Sequence, residues 1–308
     1  MEKTIFIGNG LNRCLVNGVP WGKLLENTAN FYNTSYYEDA EMPMEFERII
    51  NEYLQNTYQS FLGIDRKDIY LTVKRNISNM VNTVVLDPVC IHRKIPFSKF
   101  DNVITTNYDL LLEAAIGNVN KVSFNRNIKY LEKRTAISQD EKLSIYHAHG
   151  VADYPDTICL GYEHYMGLVE HLRDGINTKH KSAKDINICE ILNKNAKPEG
   201  TWVEKIYTSD VVVIGFGLPT CETDIWWLLT HRAYLFNTNY NNIRNVLKNK
   251  IVYYDIVDGK IDKKTQYKHQ LLKNLHVDVK LKIKSSDDTF EMKYQEIFDE
   301  INNGSCWK

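Results

Sequence analysis

What this chain lacks narrows it first. Its six cysteines (Cys14, Cys90, Cys159, Cys189, Cys221 and Cys306) are scattered, and no C-x-x-C pair occurs. That spacing argues against a cysteine-bound zinc and for a reducing compartment. No window approaches the roughly 20 apolar residues that a membrane helix needs. The start, Met-Glu-Lys-Thr running at once into β-favouring residues, has no apolar stretch of the signal-peptide kind. Neither sign of charge is in excess, with 38 Lys and Arg against 39 Asp and Glu, so no general attraction to nucleic acid or anionic lipid is expected. Internal repeats and a low-complexity tail are also missing. These absences predict a soluble, cytoplasmic protein with no direct nucleic-acid partner and no membrane contact. A length of 308 residues suits one large domain, or one domain carrying a sizeable insertion.

Ile5-Phe6-Ile7 runs straight into Gly8-Asn9-Gly10-Leu11-Asn12. A short continuous apolar run is the mark of a buried parallel strand. Glycines at its carboxyl end let the backbone turn sharply and approach a bulky ligand. If a helix follows, its free N–H groups favour a pyrophosphate at the same place. The stretch is therefore either a dinucleotide cradle or a tight turn that binds nothing. A nicotinamide dehydrogenase is disfavoured, since it needs a third glycine near position 13, where Arg13 stands, and an acidic residue some twenty positions later. The next ninety residues read as helix instead. Phe46, Ile49, Ile50, Tyr53, Leu54, Tyr58 and Phe61 fall at helical spacing over 44–62, and Val73, Ile77, Met80, Val81 and Val84 over 69–86. They predict a packed helical insertion over about 21–98.

A strand at 101–106 then runs into Asn107-Tyr108-Asp109, with a helix over 110–115. Asn and Asp serve as helix caps. Capping needs one such residue, however, and four polar groups cluster here at the strand edge where open α/β sheets bind ligands. Residues 122–124 read as a short strand and 129–141 as a polar loop. The strand at 143–146 ends in His147-Ala148-His149-Gly150. Two histidines one residue apart face the same way, but no third ligand accompanies them, so a metal fits poorly. One of them suits a general base with a pKa near neutrality, the alternative being a histidine bonded to backbone. A strand is expected at 157–161, then a second helical segment over about 162–207 with a polar loop around 179–184. The strongest strand, 210–214, must be central, and it ends in Gly215-Phe216-Gly217-Leu218, followed by Glu222, Asp224 and a helix over 225–229. Strands follow at 250–257 and at 277–283, the latter equally an edge hairpin. Helices over 263–275 and 288–301 are expected to cover one face. The sum is a single α/β domain, a Rossmann-like parallel sheet with helices on both faces and helical insertions.

Four strand ends carry the unusual residues, and in a parallel sheet such ends share one rim. Gly8-Asn9-Gly10-Leu11-Asn12, Thr105-Thr106-Asn107-Tyr108-Asp109, His149-Gly150 and Gly215-Phe216-Gly217-Leu218 occur in the order that resembles the sirtuin-like family of NAD consumers. Pro20-Trp21, and Asp224 ahead of Trp226-Trp227, look closer to the bacterial branch of sirtuin-like NAD hydrolases used in antiphage defence. The resemblance implies NAD+ as substrate and no metal. It implies catalytic roles for His149, Asn107 and Asp109. It also implies a cofactor site built from Gly8, Asn9, Gly10, Leu11, Asn12, Trp21, Thr105, Thr106, His147, Gly215, Phe216, Gly217, Leu218 and Asp224. In it Asn107 orients water or ribose hydroxyls, His149 accepts a proton with His147 in support, Asp109 positions the carboxamide, and the glycines admit the pyrophosphate.

Departures from the family pattern refine the expectation. The four-cysteine zinc ribbon of the deacylases is absent, and residues 219–222 do not look like their peptide-gripping strand. Asn12 and Gly217 stand where the family often has Ser. What remains points to an NAD+ hydrolase acting as a defence effector by depleting NAD+. A deacylase or ADP-ribosyltransferase, and a non-catalytic NAD or ADP-ribose sensor, are the alternatives. Such an effector would be restrained by homo-oligomer assembly or by a second protein of the same defence operon, with the segments at 21–96 and 163–207 as contact surfaces.

Overall fold

The computed structural model describes residues 1–15, 20–57, 60, 62–83, 90–117, 133–138, 141–176, 188–198 and 200–308. Its strands are β1 (Lys3–Ile7), β2 (Asn102–Thr105), β3 (Lys133–Ser138), β4 (Glu141–His147), β5 (Asp210–Ile214), β6 (Ile251–Asp258) and β7 (Asp278–Lys284). The helices are α1 (Trp21–Phe31), α2 (Met42–Asn56), α3 (Arg66–Thr83), α4 (Cys90–Arg93), α5 (Leu111–Ile116), α6 (Tyr162–Ile176), α7 (Ile188–Leu192), α8 (Trp202–Thr208), α9 (Thr223–Thr238), α10 (Lys263–Asn274) and α11 (Phe290–Asn302). The strands form one sheet in the order β3-β4-β2-β1-β5-β6-β7. Six of them, β4 through β7 in that order, run parallel, and β3 joins the β4 edge antiparallel. This is the expected Rossmann-like α/β fold.

The apolar runs are continuous because both faces of the sheet are buried, and successive side chains serve opposite layers. Phe6, Ile104, Tyr146, Val211 and Tyr253 pack with α6 to α9. Their neighbours Ile5, Ile7, Val103, Ile145, Val212 and Val252 pack on the other side with α11. β1 sits in the middle, with Ile5 opposite Val103 on one flank and Val212 on the other. The chain builds outward from β1 through β2 and β4, then returns to build through β5, β6 and β7. That reversal leaves a crevice between the carboxyl ends of β1 and β5, where ligands of such sheets bind.

A third core belongs to the insertion. Leu24, Phe46, Ile49, Ile50, Val73 and Ile77 of α1 to α3 pack with Tyr108, Ala152, Ile158 and Leu160 from the loops after β2 and β4. The insertion is thus seated on the rim of the sheet. Among the described residues, no helix is long and apolar enough to cross a membrane.

Four expectations need correction. Within the polar stretch 129–141, Lys133–Ser138 is a strand, because the open edge of β4 supplies ladder partners whatever the side-chain polarity. The apolar run at 157–161 is no strand: Ile158 and Leu160 feed the insertion core, and Cys159 N–H reaches only the His149 carbonyl, at 2.9 Å. β7 pairs parallel with β6 through a crossover containing α10, so it is not a hairpin. The last two helices lie on opposite faces, Leu272 of α10 in one core and Tyr294, Ile297, Phe298 and Ile301 of α11 in the other. The expected strand at 122–124, the end of the helix at 84–86 and the loop at 179–184 lie outside the described residues.

Phe298 is fully buried against the face that holds Ile5 and Val212. Phe298→Ala is expected to cost about 3–5 kcal/mol, read as a lower urea midpoint at unchanged m.

Candidate functional site

The two Gly-x-Gly loops meet each other. Gly8 N–H donates to the Ile214 carbonyl at 3.0 Å, and Gly10 N–H to the Gly215 carbonyl at 2.6 Å. A Cβ on Gly10 would sit 2.6 Å from that oxygen, and one on Gly8 would sit 2.7 Å from it and from Phe216 Cα. Gly8 and Gly10 therefore make room for the second loop. Gly217 differs, since a Cβ there would meet open space. Leu11 and Leu218 turn their side chains into the two opposite cores, while Phe216 stacks at 5.0 Å on Phe6.

Around this junction lies a cleft of about 590 Å³, walled by Asn9, Gly10, Asn12, Trp21, Thr106, Gly215, Phe216, Gly217 and Glu222, and farther out by Tyr254, Asp255 and Phe290. That size falls within the usual range for small-molecule sites. A second pocket of about 60 Å³ shares Asn9, Asn12 and Trp21 as walls and adds Asn27, Met80, Asn107 and Asp109. The outer wall was not legible beforehand, since β6 reads only as a late apolar strand.

The end of β2 is fixed by its own polar residues. Thr105 Oγ1 donates to the Ile7 carbonyl at 2.8 Å and accepts from Asn107 N–H at 3.1 Å. Asp109 accepts from Leu111 N–H at 3.0 Å, at the start of α5, and from Asn12 Nδ2 at 3.1 Å. It thereby caps the helix and ties the first loop to the second strand end. Burial raises its pKa, outweighing the Leu111 amide. Asn107 Oδ1 is buried and has no hydrogen-bond partner, in a side chain that lines the small pocket. A buried amide oxygen left unpaired costs roughly 1–3 kcal/mol, which a bound ligand can recover.

The two histidines divide their work. His147 Nδ1 donates to the Asn107 carbonyl at 2.8 Å and Nε2 lies 2.8 Å from Glu113 Oε1. Both ring nitrogens are thus taken, so His147 secures the Asn107 turn and does not support His149. His149 lies beyond the strand, its Nε2 at 2.9 Å from Asp224 Oδ2 and 3.7 Å from Glu222 Oε2. The following Gly150 has φ +87, and a Cβ there would lie 2.1 Å from the Thr157 carbonyl oxygen. Only glycine permits the fold-back that brings Cys159 to His149.

Burial pulls the His149 pKa down, but Asp224 and Glu222 outweigh it and lift it to about 9. Burial likewise pushes Glu222 up to about 7. His149 is therefore an imidazolium held between two carboxyl groups, not the near-neutral group expected from its position. Tyr165 OH lies 3.4 Å from Glu222 Oε2, and its ring meets His149 edge-on at 5.2 Å. Tyr165 was not legible as a site residue, since it sits mid-pattern in an amphipathic helix. The donor atoms of His149, Glu222 and Asp224 lie within 4.8 Å of one another, the set among the described residues that can hold a cation.

The candidates thus fall into three groups. Asn9, Gly10, Asn12, Trp21, Thr106, Gly215, Phe216 and Gly217 wall the cleft, and Asn107 and Asp109 the adjoining pocket. Gly8, Leu11, Thr105, His147, His149, Leu218 and Asp224 are not among those walls. The pairing of Thr105 with His147 nevertheless puts Asn107 and His149 at equivalent places on neighbouring strand ends.

Gly10→Ala is expected to lower stability by about 1–3 kcal/mol, because backbone must move. Gly217→Ala should leave the melting temperature within about 2 °C, as expected of a surface change, while weakening whatever the cleft binds. Differential scanning calorimetry beside a ligand titration checks both.

No curated protein matches the chain. Residues 101–217 match the SIR2-like domain family, a span that begins at β2 and ends at Gly217. It contains Thr105 to Asp109, His149-Gly150 and the second Gly-x-Gly loop, and it omits the first loop and α1 to α3. The chain thus contains a SIR2-like domain, and such a domain implies use of NAD.

Proposed function

We propose that this chain hydrolyses NAD+ to nicotinamide and ADP-ribose. The observation that carries the proposal is the unpartnered Asn107 amide oxygen, set in a pocket that adjoins the cleft at the sheet's switch point. The cleft takes the dinucleotide along the Gly215 to Gly217 loop, with its far end against Tyr254 and Asp255. The nicotinamide end lies towards Asn107 and Asp109.

Nicotinamide is a cationic leaving group, so the bond to ribose breaks with positive charge growing at the sugar carbon. Water then adds to that carbon and gives up a proton. Asn107 orients the water or the ribose hydroxyls, and Asp109, held by Asn12 and Leu111, positions the carboxamide. His149 becomes the proton acceptor once its own proton has passed to the Glu222 carboxylate 3.7 Å away, with Asp224 fixing its ring. In the resemblance to antiphage NAD hydrolases the chain is the effector of a bacterial defence system that depletes cellular NAD+. A freely active enzyme of this kind would kill its host, so restraint by self-assembly or by a second protein belongs to the same proposal.

The purified chain, alone and with what it captures from native cells, is incubated with NAD+ and nicotinamide release is followed. Asn107→Ala and His149→Ala are each expected to slow release by about 10²–10⁴-fold. Full activity in both variants would refute the assignment. ADP-ribose transferred to a protein would indicate a transferase, and binding without turnover a sensor.

A further inference from the structure

We infer that His149, Glu222 and Asp224 form a site for one divalent cation of the zinc class, and that filling it switches the enzyme off. The binding half stands on the geometry by itself. The inhibitory half rests on His149 being the proton acceptor proposed above.

The three donors converge from two places in the chain: the turn after β4, and the start of α9. Nε2 of His149 lies 2.9 Å from Asp224 Oδ2 and 3.7 Å from Glu222 Oε2. A tetrahedral zinc with bonds of about 2.0–2.2 Å holds its donors about 3.3–3.6 Å apart, between those two distances. Glu222 and Asp224 offer donor atoms within 4.8 Å of each other, so shifts of up to about an ångström would seat the ion. One imidazole and two carboxylates is a donor set suited to zinc and its neighbours rather than to calcium or magnesium.

Burial supplies the second line of support. His149, Glu222 and Asp224 are 2%, 6% and 0% exposed. The second carboxylate oxygen of Asp224, Oδ1, is buried and has no hydrogen-bond partner. Two carboxyl groups packed beside each other, one with an unmatched oxygen, are a costly arrangement that a dication relieves directly. Around the donors, Tyr165 OH lies 3.4 Å from Glu222 Oε2 and the Tyr165 ring limits rotation of the imidazole. Glu222 also borders the cleft, which gives the ion an entry and leaves its remaining position open to water. An ion there displaces the Nε2 proton to solvent and holds that nitrogen, so the imidazole can no longer pass a proton to Glu222 or take one from ribose or water.

The test uses the tag-free full chain, stripped with a chelator and dialysed against Zn²⁺, with bound metal measured by mass spectrometry. One zinc per chain is expected, held about tenfold or more weaker by Asp224→Asn and by Glu222→Gln. Circular dichroism confirms that each variant is folded. Should Asp224→Asn fail to fold, Glu222→Gln and anomalous scattering at the zinc edge decide: a peak bonded by the three side chains supports the site. Crystals grown with Zn²⁺ that show no such peak, or equal retention by parent and folded variant, overturn it. Nicotinamide release should fall as zinc fills the site and return on chelation. Zinc bound at the site without loss of release removes the inhibitory half alone, and a chain that releases no nicotinamide at all still answers the binding half.

Discussion

The site depends on one backbone contact, the Gly10 N–H donated to the Gly215 carbonyl at 2.6 Å. It joins the loops that leave the two central strands, and it exists only because neither Gly8 nor Gly10 carries a Cβ. With the loops locked, Asn12 is delivered to Asp109 and Gly217 is left facing open space. Hydrogen bonding then spreads from strand to strand: Thr105 to Ile7, Asn107 to Thr105, His147 to Asn107. The rim behaves as a chain of fixed polar groups in which each holds the next, the kind of preorganised support that a site needs to keep its geometry.

The strain in that arrangement is electrical. Most polar groups at the rim are paired, yet Asn107 Oδ1 and Asp224 Oδ1 are buried without a partner. Buried polar atoms are paired in the great majority of cases, so each of these oxygens carries a cost that a partner from outside the chain could relieve. Asn107 follows the neighbouring strand end, and Asp224 is in hydrogen-bond contact with the His149 ring. Asp224 thus governs the charge of the imidazole.

How much of this could be read from the sequence depended on what each residue must do. β1 and β5 were legible because strands buried on both faces need unbroken apolar runs, and Ile5 to Ile7 and Val211 to Ile214 provide them. β3 was not, because an edge strand needs only backbone partners. Ile158 and Leu160 looked like a strand because a short apolar run does not reveal whether a sheet or a helix layer will cover it. At the rim, the residue types were legible and their partners were not. His147 and His149 are two positions apart, yet one finds Glu113, 34 residues away, and the other Asp224, 75 residues away. Only the fold decides that division, and with it which histidine can do chemistry.

The helical insertion completes the site as well as covering it. Trp21, Leu24, Asn27, Met80 and Val81 form one half of the small pocket, and Asn107, Tyr108 and Asp109 the other. The halves are joined by the Trp21 ring standing edge-on to Tyr108 at 4.5 Å, and by Ser78, whose hydroxyl donates to the Ala152 carbonyl. Tyr108 in turn donates to the Cys159 carbonyl at 2.5 Å, and Cys159 N–H to the His149 carbonyl. The insertion is thus tied to the Tyr108 turn next to Asn107, and through Cys159 to the His149 backbone. The shape of the pocket therefore depends on how the insertion is seated on the rim, because its walls and the insertion helices are the same elements.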